Sequence, residues 1–305
     1  MSESQSAEVI IIGAGPGGIA TAIWCQRLGL SSILLEREQQ IGGQLSMIHT
    51  AIPDLPGLFV NNGSELRDRL EEHLRSLDIK PRLGVKVTSI NPDTRTVHTN
   101  QGVFQGRAIV VATGVRRRKL PMEEAIEFEE RGLSYTASGD PETFRGKKTA
   151  IIGGGDGAFE NALKLAETCP EVHVLFRRDK PSARPSFVQA ARQNPRIHLC
   201  AQTIVTALHG NECLEAVSVE DSWGKRRLEV GALLVKIGFE PASRFLNGRF
   251  KRKLSGHMLI DAHQKTSNAY VWAVGDVCTP EDPSLSVAMG QACIAARQIE
   301  RMLRH

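Results

Sequence analysis

Short, unbroken apolar runs recur along this chain, each followed by a turn of small residues and then by helical periodicity. Val9-Ile10-Ile11-Ile12 has no polar interruption, the pattern of a strand covered on both faces of a parallel sheet. Behind it Ile19, Ala22, Ile23 and Gln26 follow at helical spacing until Gly29, and Ile33-Leu34-Leu35 predicts the next strand. Leu66, Leu70, Leu74 and Leu77 mark one face of an amphipathic helix. The period then shortens. Val85–Thr88, Thr96–Thr99 and Gly102–Phe104 predict antiparallel strands joined at Asn91-Pro92-Asp93 and Asn100-Gln101-Gly102. They lead into the apolar strand Ala108–Val111, closed by Ala112-Thr113-Gly114.

A similar succession starts before Gly153, continues through Val172–Phe176 and ends at Leu233-Leu234-Val235-Lys236-Ile237-Gly238. Val271–Val274 then returns to Gly275-Asp276 and a final helix over 287–303. The order predicts one unit, residues 1–114 and 245–305, interrupted by a second of the same kind, residues 115–244.

Both units carry a glycine fingerprint between strand and helix: Gly13-Ala14-Gly15-Pro16-Gly17-Gly18 and Gly153-Gly154-Gly155-Asp156-Gly157-Ala158. In such a motif the first glycine permits the tight turn. The second lets a pyrophosphate reach the backbone, and the third position, Gly18 or Ala158, lets helix and strand pack closely. Phosphates then sit on the free N–H groups and the positive dipole end of the helix. The expected fold is α/β, with two Rossmann-like, three-layer ββα nucleotide-binding domains, the second inserted into the first.

The residues after the next strand separate the two sites. In the first, Glu36 stands about twenty residues past the glycines, followed by Arg37. A carboxylate there accepts from a ribose diol and repels a 2′-phosphate. In the second, the same place holds Arg177-Arg178-Asp179, with Lys180 and Arg184 beyond. Guanidinium forks suit a 2′-phosphate, which favours NADP(H) over NAD(H).

Composition narrows the remaining classes. The 305 residues are 41% hydrophobic with 28 glycines, enough for two domains of ordinary size. No run approaches a membrane span, and the first strand begins by Val9, so a cytoplasmic protein is expected. The six cysteines include no local dithiol or metal-ligand spacing, since the nearest pair is Cys200 and Cys213. Cys278, just past Gly275-Asp276, is the one cysteine near expected chemistry and a weak catalytic candidate. Residues 115–253 carry a net charge of +6 and the remainder −2. Arg116-Arg117-Arg118-Lys119 and Arg249 with Lys251-Arg252-Lys253 supply basic clusters suited to an acidic partner or to the nucleotide. Nothing points to nucleic acid.

The chain resembles the low-molecular-weight thioredoxin reductases, two-domain flavoproteins of the pyridine nucleotide-disulfide oxidoreductase class. The likeness runs through Gly13–Gly18, Gly42-Gly43-Gln44-Leu45, Pro56-Gly57, Ala112-Thr113-Gly114, Ser134-Tyr135, Gly153–Ala158, Arg177-Arg178-Asp179, Gly275-Asp276-Val277 and Cys293-Ile294-Ala295-Ala296. It implies FAD in the first site and NADPH in the second, and a homodimer. It further implies that Asp276 binds the ribityl chain, that Gly43-Gln44-Leu45 border the isoalloxazine ring, and that backbone near Val87 borders the adenine. Pro283-Ser284 replaces the family's Arg-Gln pair, which passes the pyrimidine edge of the flavin to backbone amides near Ser284–Ser286. On the second site, Ile237 and Gly238 complete the expected NADP(H) contacts.

The chain departs from that family where the reductase chemistry lies. Its redox motif Cys-Ala-Thr-Cys-Asp is replaced by Thr136-Ala137-Ser138-Gly139-Asp140. Threonine and glycine cannot carry thiol–disulfide exchange, and Asp140, in the place of the family's proton donor, has no thiol beside it. The expected activity is therefore an FAD-dependent oxidoreductase that takes a hydride from NADPH and passes electrons to an external acceptor. That acceptor is a ferredoxin or flavodoxin, as in the ferredoxin-NADP reductases of this fold, or a small molecule. Three alternatives stand: a disulfide reductase using cysteines outside the usual motif or a second bound dinucleotide, a ferredoxin/flavodoxin-NADP reductase, and a non-catalytic redox-sensing flavoprotein. The bacillithiol disulfide reductase-like proteins place a cysteine where this chain has Gly17.

Overall fold

The computed structural model describes residues 5–281 and 283–304; the ends of the expected outer domain, 1–4 and 305, lie outside them. The chain divides into two compact units, one of residues 1–116 and 240–305, the other of 117–239. The two crossing segments, Val115–Arg117 and Phe239–Pro241, pair with each other as a two-stranded ribbon.

In the first unit a four-stranded parallel sheet runs in the order Val271–Ala273, Ala108–Val111, Val9–Ile12, Ser32–Leu35. Its strands are apolar throughout because both faces are covered. Val9, Ile11, Ala108 and Val110 point to the helices Pro16–Arg27 and Leu285–Arg304. Ile10, Ile12, Ile109 and Val111 point the other way, onto Val97 and Phe104 of a small sheet. That sheet contains Val87–Asn91, Thr96–Thr99 and Gly102–Gln105, antiparallel, with Gln5–Ser6 parallel at its edge. The first meander strand starts two residues later than the alternation of Val85 and Val87 predicts. Val85 instead donates its N–H to Glu36 O at 2.8 Å, tying the segment to the end of the parallel sheet.

The second unit repeats the plan. Its parallel sheet has the order Ile197–Ala201, Val172–Phe176, Thr149–Ile152, Ala232–Val235, Leu133–Ser134. Ile151, Val174 and Leu234 face the helix Asp156–Leu165, while Ala150, Leu175 and Leu233 face Val217 and Val219 of the antiparallel sheet Ile204–His209, Ala216–Asp221, Gly224–Glu229. In each unit the central strand has its sequence successor on one side and a later strand on the other. The order therefore reverses beside the fingerprint, and open α/β sheets bind ligands at such a reversal.

Among the described residues no helix is long and apolar enough to cross a membrane, and no group of three or more His, Cys, Asp or Glu is placed to hold a metal ion.

Candidate dinucleotide sites

Two glycines of the first fingerprint, Gly13 and Gly18, are demanded by the protein's own packing, and Gly17 is a tight but less strict case. Gly13 has φ +102°, and a Cβ there would lie 2.6 Å from Ala112 O. At Gly18 a Cβ would fall 1.8 Å from Gly13 O, and at Gly17 3.3 Å from Val274 Cγ2. Gly15 differs. Its φ of −74° and ψ of 178° are open to any residue, and a Cβ would meet nothing within 4 Å. The empty space lies over the N-terminus of the helix Pro16–Arg27, which has no side-chain cap, so its first-turn N–H groups await an acceptor. Beside the turn, Thr113 Oγ1 is buried with no hydrogen-bond partner, and a buried hydroxyl left so calls for one. Both features fit a bound pyrophosphate-containing cofactor.

The other residues of this site converge through local contacts. Glu36 is buried, and its Oε2 accepts from Ala14 N at 2.7 Å while Oε1 accepts from Glu38 N at 3.0 Å. The carboxylate thus braces the fingerprint and keeps a free lone pair on each oxygen. Gly42 N donates to Ala14 O at 2.8 Å, and a Cβ on Gly43 would lie 3.3 Å from Gly15 Cα. Leu45 sits in a separate apolar cluster with Ile52, Val60 and Leu66. Its anchoring leaves the neighbouring Gln44 to donate from Nε2 to Asp276 Oδ2 at 2.7 Å. Gly114 (φ +63°) and Gly275 (φ +74°) make the turns that bring these loops together. Val87 opens its strand half-buried against the meander-side core. Arg37 is exposed and paired with Glu38 at 2.9 Å. Ser286 is exposed, its Oγ 3.4 Å from Asp54 O, and Ser284 Oγ accepts from Val287 N in the first turn of the last helix.

The second fingerprint shows the same division of labour. Gly153 has φ +148°, with Lys236 O 2.4 Å from a Cβ there, whereas Gly157 would meet nothing and Gly155 only Ser182 Oγ at 3.8 Å. Gly155 caps the helix Asp156–Leu165 without a side-chain bond. Ala158 fills the third position and is buried. Arg177 and Arg178 are exposed at the strand end, and among the described residues neither makes a salt bridge. Arg184 is not a third free fork. Its backbone N and Nε both donate to Asp156, at 2.7 and 2.8 Å, because Ser182 N and Ala183 N bond Gly154 O and fold the loop back over the fingerprint. Ile237 and Gly238 (φ +91°) form the turn after the neighbouring strand.

Both candidates for thiol or acid chemistry take structural roles. Cys278 is completely buried, burial pushes its thiol up to about 11, and Sγ lies 3.1 Å from Gly275 O; desolvation disfavours the reactive thiolate. Asp140 accepts from Thr143 Oγ1 at 2.6 Å at the start of a short 3₁₀ turn.

Two further residues escape a motif-based reading. Gln291, on the buried stripe of the last helix between Ala288 and Ala295, accepts from Gly275 N at 2.7 Å and donates to Thr279 Oγ1 at 2.6 Å. It holds the Gly275–Cys278 turn in place, and its only trace in the sequence is one amide among small apolar residues. Lys236, half-buried, donates from Nζ to Tyr135 O at 3.2 Å, and burial together with the charge of Arg117 lowers its ammonium to about 8.

Two ββα units, each with a fingerprint at its sheet reversal, define an oxidoreductase of the dinucleotide-binding kind. The chain belongs to the pyridine nucleotide-disulphide oxidoreductase family, whose description matches residues 7–298. It is 30% identical to a thioredoxin reductase of Mycolicibacterium smegmatis over 99% of each chain. It is 29% identical to ferredoxin–NADP reductase 2 of Bacillus licheniformis, over 93% of this chain and 88% of that protein. The solved thioredoxin reductase of Lactococcus lactis superposes with a TM-score of 0.85 at 28% identity, covering 98% of this chain and 99% of that one.

Proposed function

We propose that the first unit holds FAD, the second holds NADPH, and the enzyme passes electrons to an external acceptor without an internal dithiol. The bound cofactors supply the hydride and electron chemistry; this chain's residues supply position and charge. The pyrophosphate of FAD rests over Gly15, with Glu36 at the adenosine ribose and Asp276, oriented by Gln44, at the ribityl chain. In the second unit Arg177 and Arg178 take the 2′-phosphate and the space above Gly155 and Gly157 admits the pyrophosphate.

The observation that carries this reading is the pair Thr136 and Gly139 at the place of a redox dithiol, beside two intact cofactor cradles. With Cys278 and Cys25 buried and their thiols raised to about 11 and about 12, neither offers a substitute. An acidic electron-transfer protein such as a ferredoxin or flavodoxin is the acceptor class favoured by the likeness to a ferredoxin–NADP reductase and by the net charge of +6 over residues 115–253. Six free thiols suit a reducing compartment such as the cytoplasm.

The deciding experiment is anaerobic NADPH titration of the FAD-loaded protein, followed by steady-state assays with ferricyanide, oxidised ferredoxin or flavodoxin, and thioredoxin. Bleaching of the flavin, turnover with ferricyanide and negligible thioredoxin reduction are expected. Flavin that stays oxidised under NADPH removes the donor assignment, and robust thioredoxin reduction removes the external-acceptor reading.

A further inference from the structure

The sheet reversal of the second unit lies between Thr149–Ile152 and Ala232–Val235, so the first residues past these two strands, Gly153 and Lys236, form the floor of its crevice. The corresponding floor of the first unit is Gly13 and Ala112. The equivalence is close: a Cβ on the first glycine meets Ala112 O in one unit and Lys236 O in the other. Equivalent backbone positions therefore carry a methyl group in one unit and a lysine side chain, its ammonium on Tyr135 O, in the other.

That ammonium has no counter-ion. Among the described residues no carboxylate lies within salt-bridge distance of Lys236, and its Nζ bonds only a backbone carbonyl. The second half-buried cation nearby, Arg117, also lacks a carboxylate partner among the described residues and rests over the Phe239 ring, 5.5 Å from its centroid. The two repel each other, and the charge of Glu160 on the fingerprint helix offsets part of that repulsion at Lys236 without forming an ion pair. Half-buried like charges kept together without an anion destabilise the free protein, and a ligand anion removes that penalty.

Resting on the assignment of NADP(H) to this unit, we propose that Lys236, with Arg117 behind it, is a binding residue for the nicotinamide-side phosphate of the dinucleotide. The direction follows from the sheet. Arg177 and Arg178 end the strand on one side of the fingerprint and take the adenosine half, whereas Lys236 ends the strand on the other side, where the second half must lie. The fingerprint N–H groups hold the adenosine-side phosphate between them.

The test is equilibrium binding of three ligands that undergo no redox reaction: NADP⁺, 2′-phospho-ADP-ribose, and 2′,5′-ADP, which lacks the nicotinamide-side phosphate. Lys236→Met should weaken the first two by the same factor, roughly tenfold or more for one lost charge-assisted contact, and leave 2′,5′-ADP unchanged. Lys236→Arg should restore most of the loss. Wild-type affinity for NADP⁺ should fall as pH rises through about 8, where the ammonium loses its proton, and this fall should vanish in Lys236→Met; Arg117 stays charged and the 2′,5′-ADP series cancels other titrations. Unchanged NADP⁺ binding by Lys236→Met, or an equal loss on 2′,5′-ADP, overturns the proposal while sparing the NADP(H) assignment. Failure of the wild type to bind 2′,5′-ADP or NADP⁺ overturns both.

Discussion

If FAD lies over Gly15 as proposed, substitution there separates a glycine required by the ligand from one required by the fold. In the free protein Gly15→Ala meets no atom within 4 Å and keeps an allowed backbone. Alanine restricts the unfolded chain, a gain of about 0.4–1 kcal/mol, against a loss of similar size at a helix N-cap position. The two offset, so the apoprotein should keep its stability to within about 1 kcal/mol. The cofactor-bound state should behave differently, because on the proposed assignment the methyl group stands where the pyrophosphate approaches. Displacing one phosphate oxygen from an N–H group forfeits about 1.5–3 kcal/mol, roughly ten- to 150-fold in affinity per contact, and Gly15→Val should abolish flavin retention. Gly18→Ala is the contrast: its Cβ would fall 1.8 Å from Gly13 O, and it should unfold the unit with or without FAD. Urea denaturation of the apoproteins and fluorescence titration with FAD measure the two effects separately. A Gly15→Ala apoprotein destabilised by several kcal/mol, or a Gly15→Val protein that purifies with stoichiometric FAD, refutes the assignment of that space to the cofactor.

Four further outcomes are expected. Arg177→Ala with Arg178→Ala should weaken NADPH by about 1.5–3 kcal/mol per lost contact and leave NADH binding unchanged, read by parallel titrations at fixed ionic strength; equal losses for both coenzymes would remove the 2′-phosphate role. Lys236→Met should stabilise the ligand-free protein at neutral pH, because burial and the charge of Arg117 lower its ammonium from 10.5 to about 8; solvent screening of the part-exposed side chain holds the gain to about 1 kcal/mol, well below the full shift. Below pH 8 the lysine is charged folded and unfolded and the penalty is complete; between 8 and 10.5 the folded form loses its proton first, so the gap between variant and wild type should close as pH rises, and a constant gap would contradict the burial. A Cβ on Gly139 would lie 3.8 Å from Thr136 Cβ, the usual disulfide separation, so Thr136→Cys with Gly139→Cys should form a disulfide, detected as no new free thiols under oxidising conditions and two after reduction. Maleimide should modify exposed Cys213 rapidly and leave Cys278 and Cys25 unmodified until the protein unfolds, as peptide mapping would show.

By itself the sequence determined the parts governed by local chemistry and short-range pattern. Unbroken runs such as Val9–Ile12 match strands buried on both faces, and the glycine spacings with Glu36 and Arg177-Arg178 marked two strand–turn–helix fingerprints followed by opposite charges, because a turn and its helix N-terminus are contiguous in the chain. The substitution of Thr136 and Gly139 for a dithiol was equally legible, since it is a matter of which atoms are present. Tertiary structure decided everything that depends on neighbours distant in sequence. The same residue type is a packing necessity at Gly18, where a Cβ would meet Gly13 O, and free of any protein contact at Gly15. Cys278 sits beside the right motif, yet its core surroundings raise its thiol beyond use, and Arg184 is taken by Asp156 once the loop folds back. Lys236 and Gln291 carry no motif; sheet order and helix packing place one at the reversal and the other under the Gly275 turn. A charge or amide acquires its role from what desolvates it and what it faces, and the fold sets both.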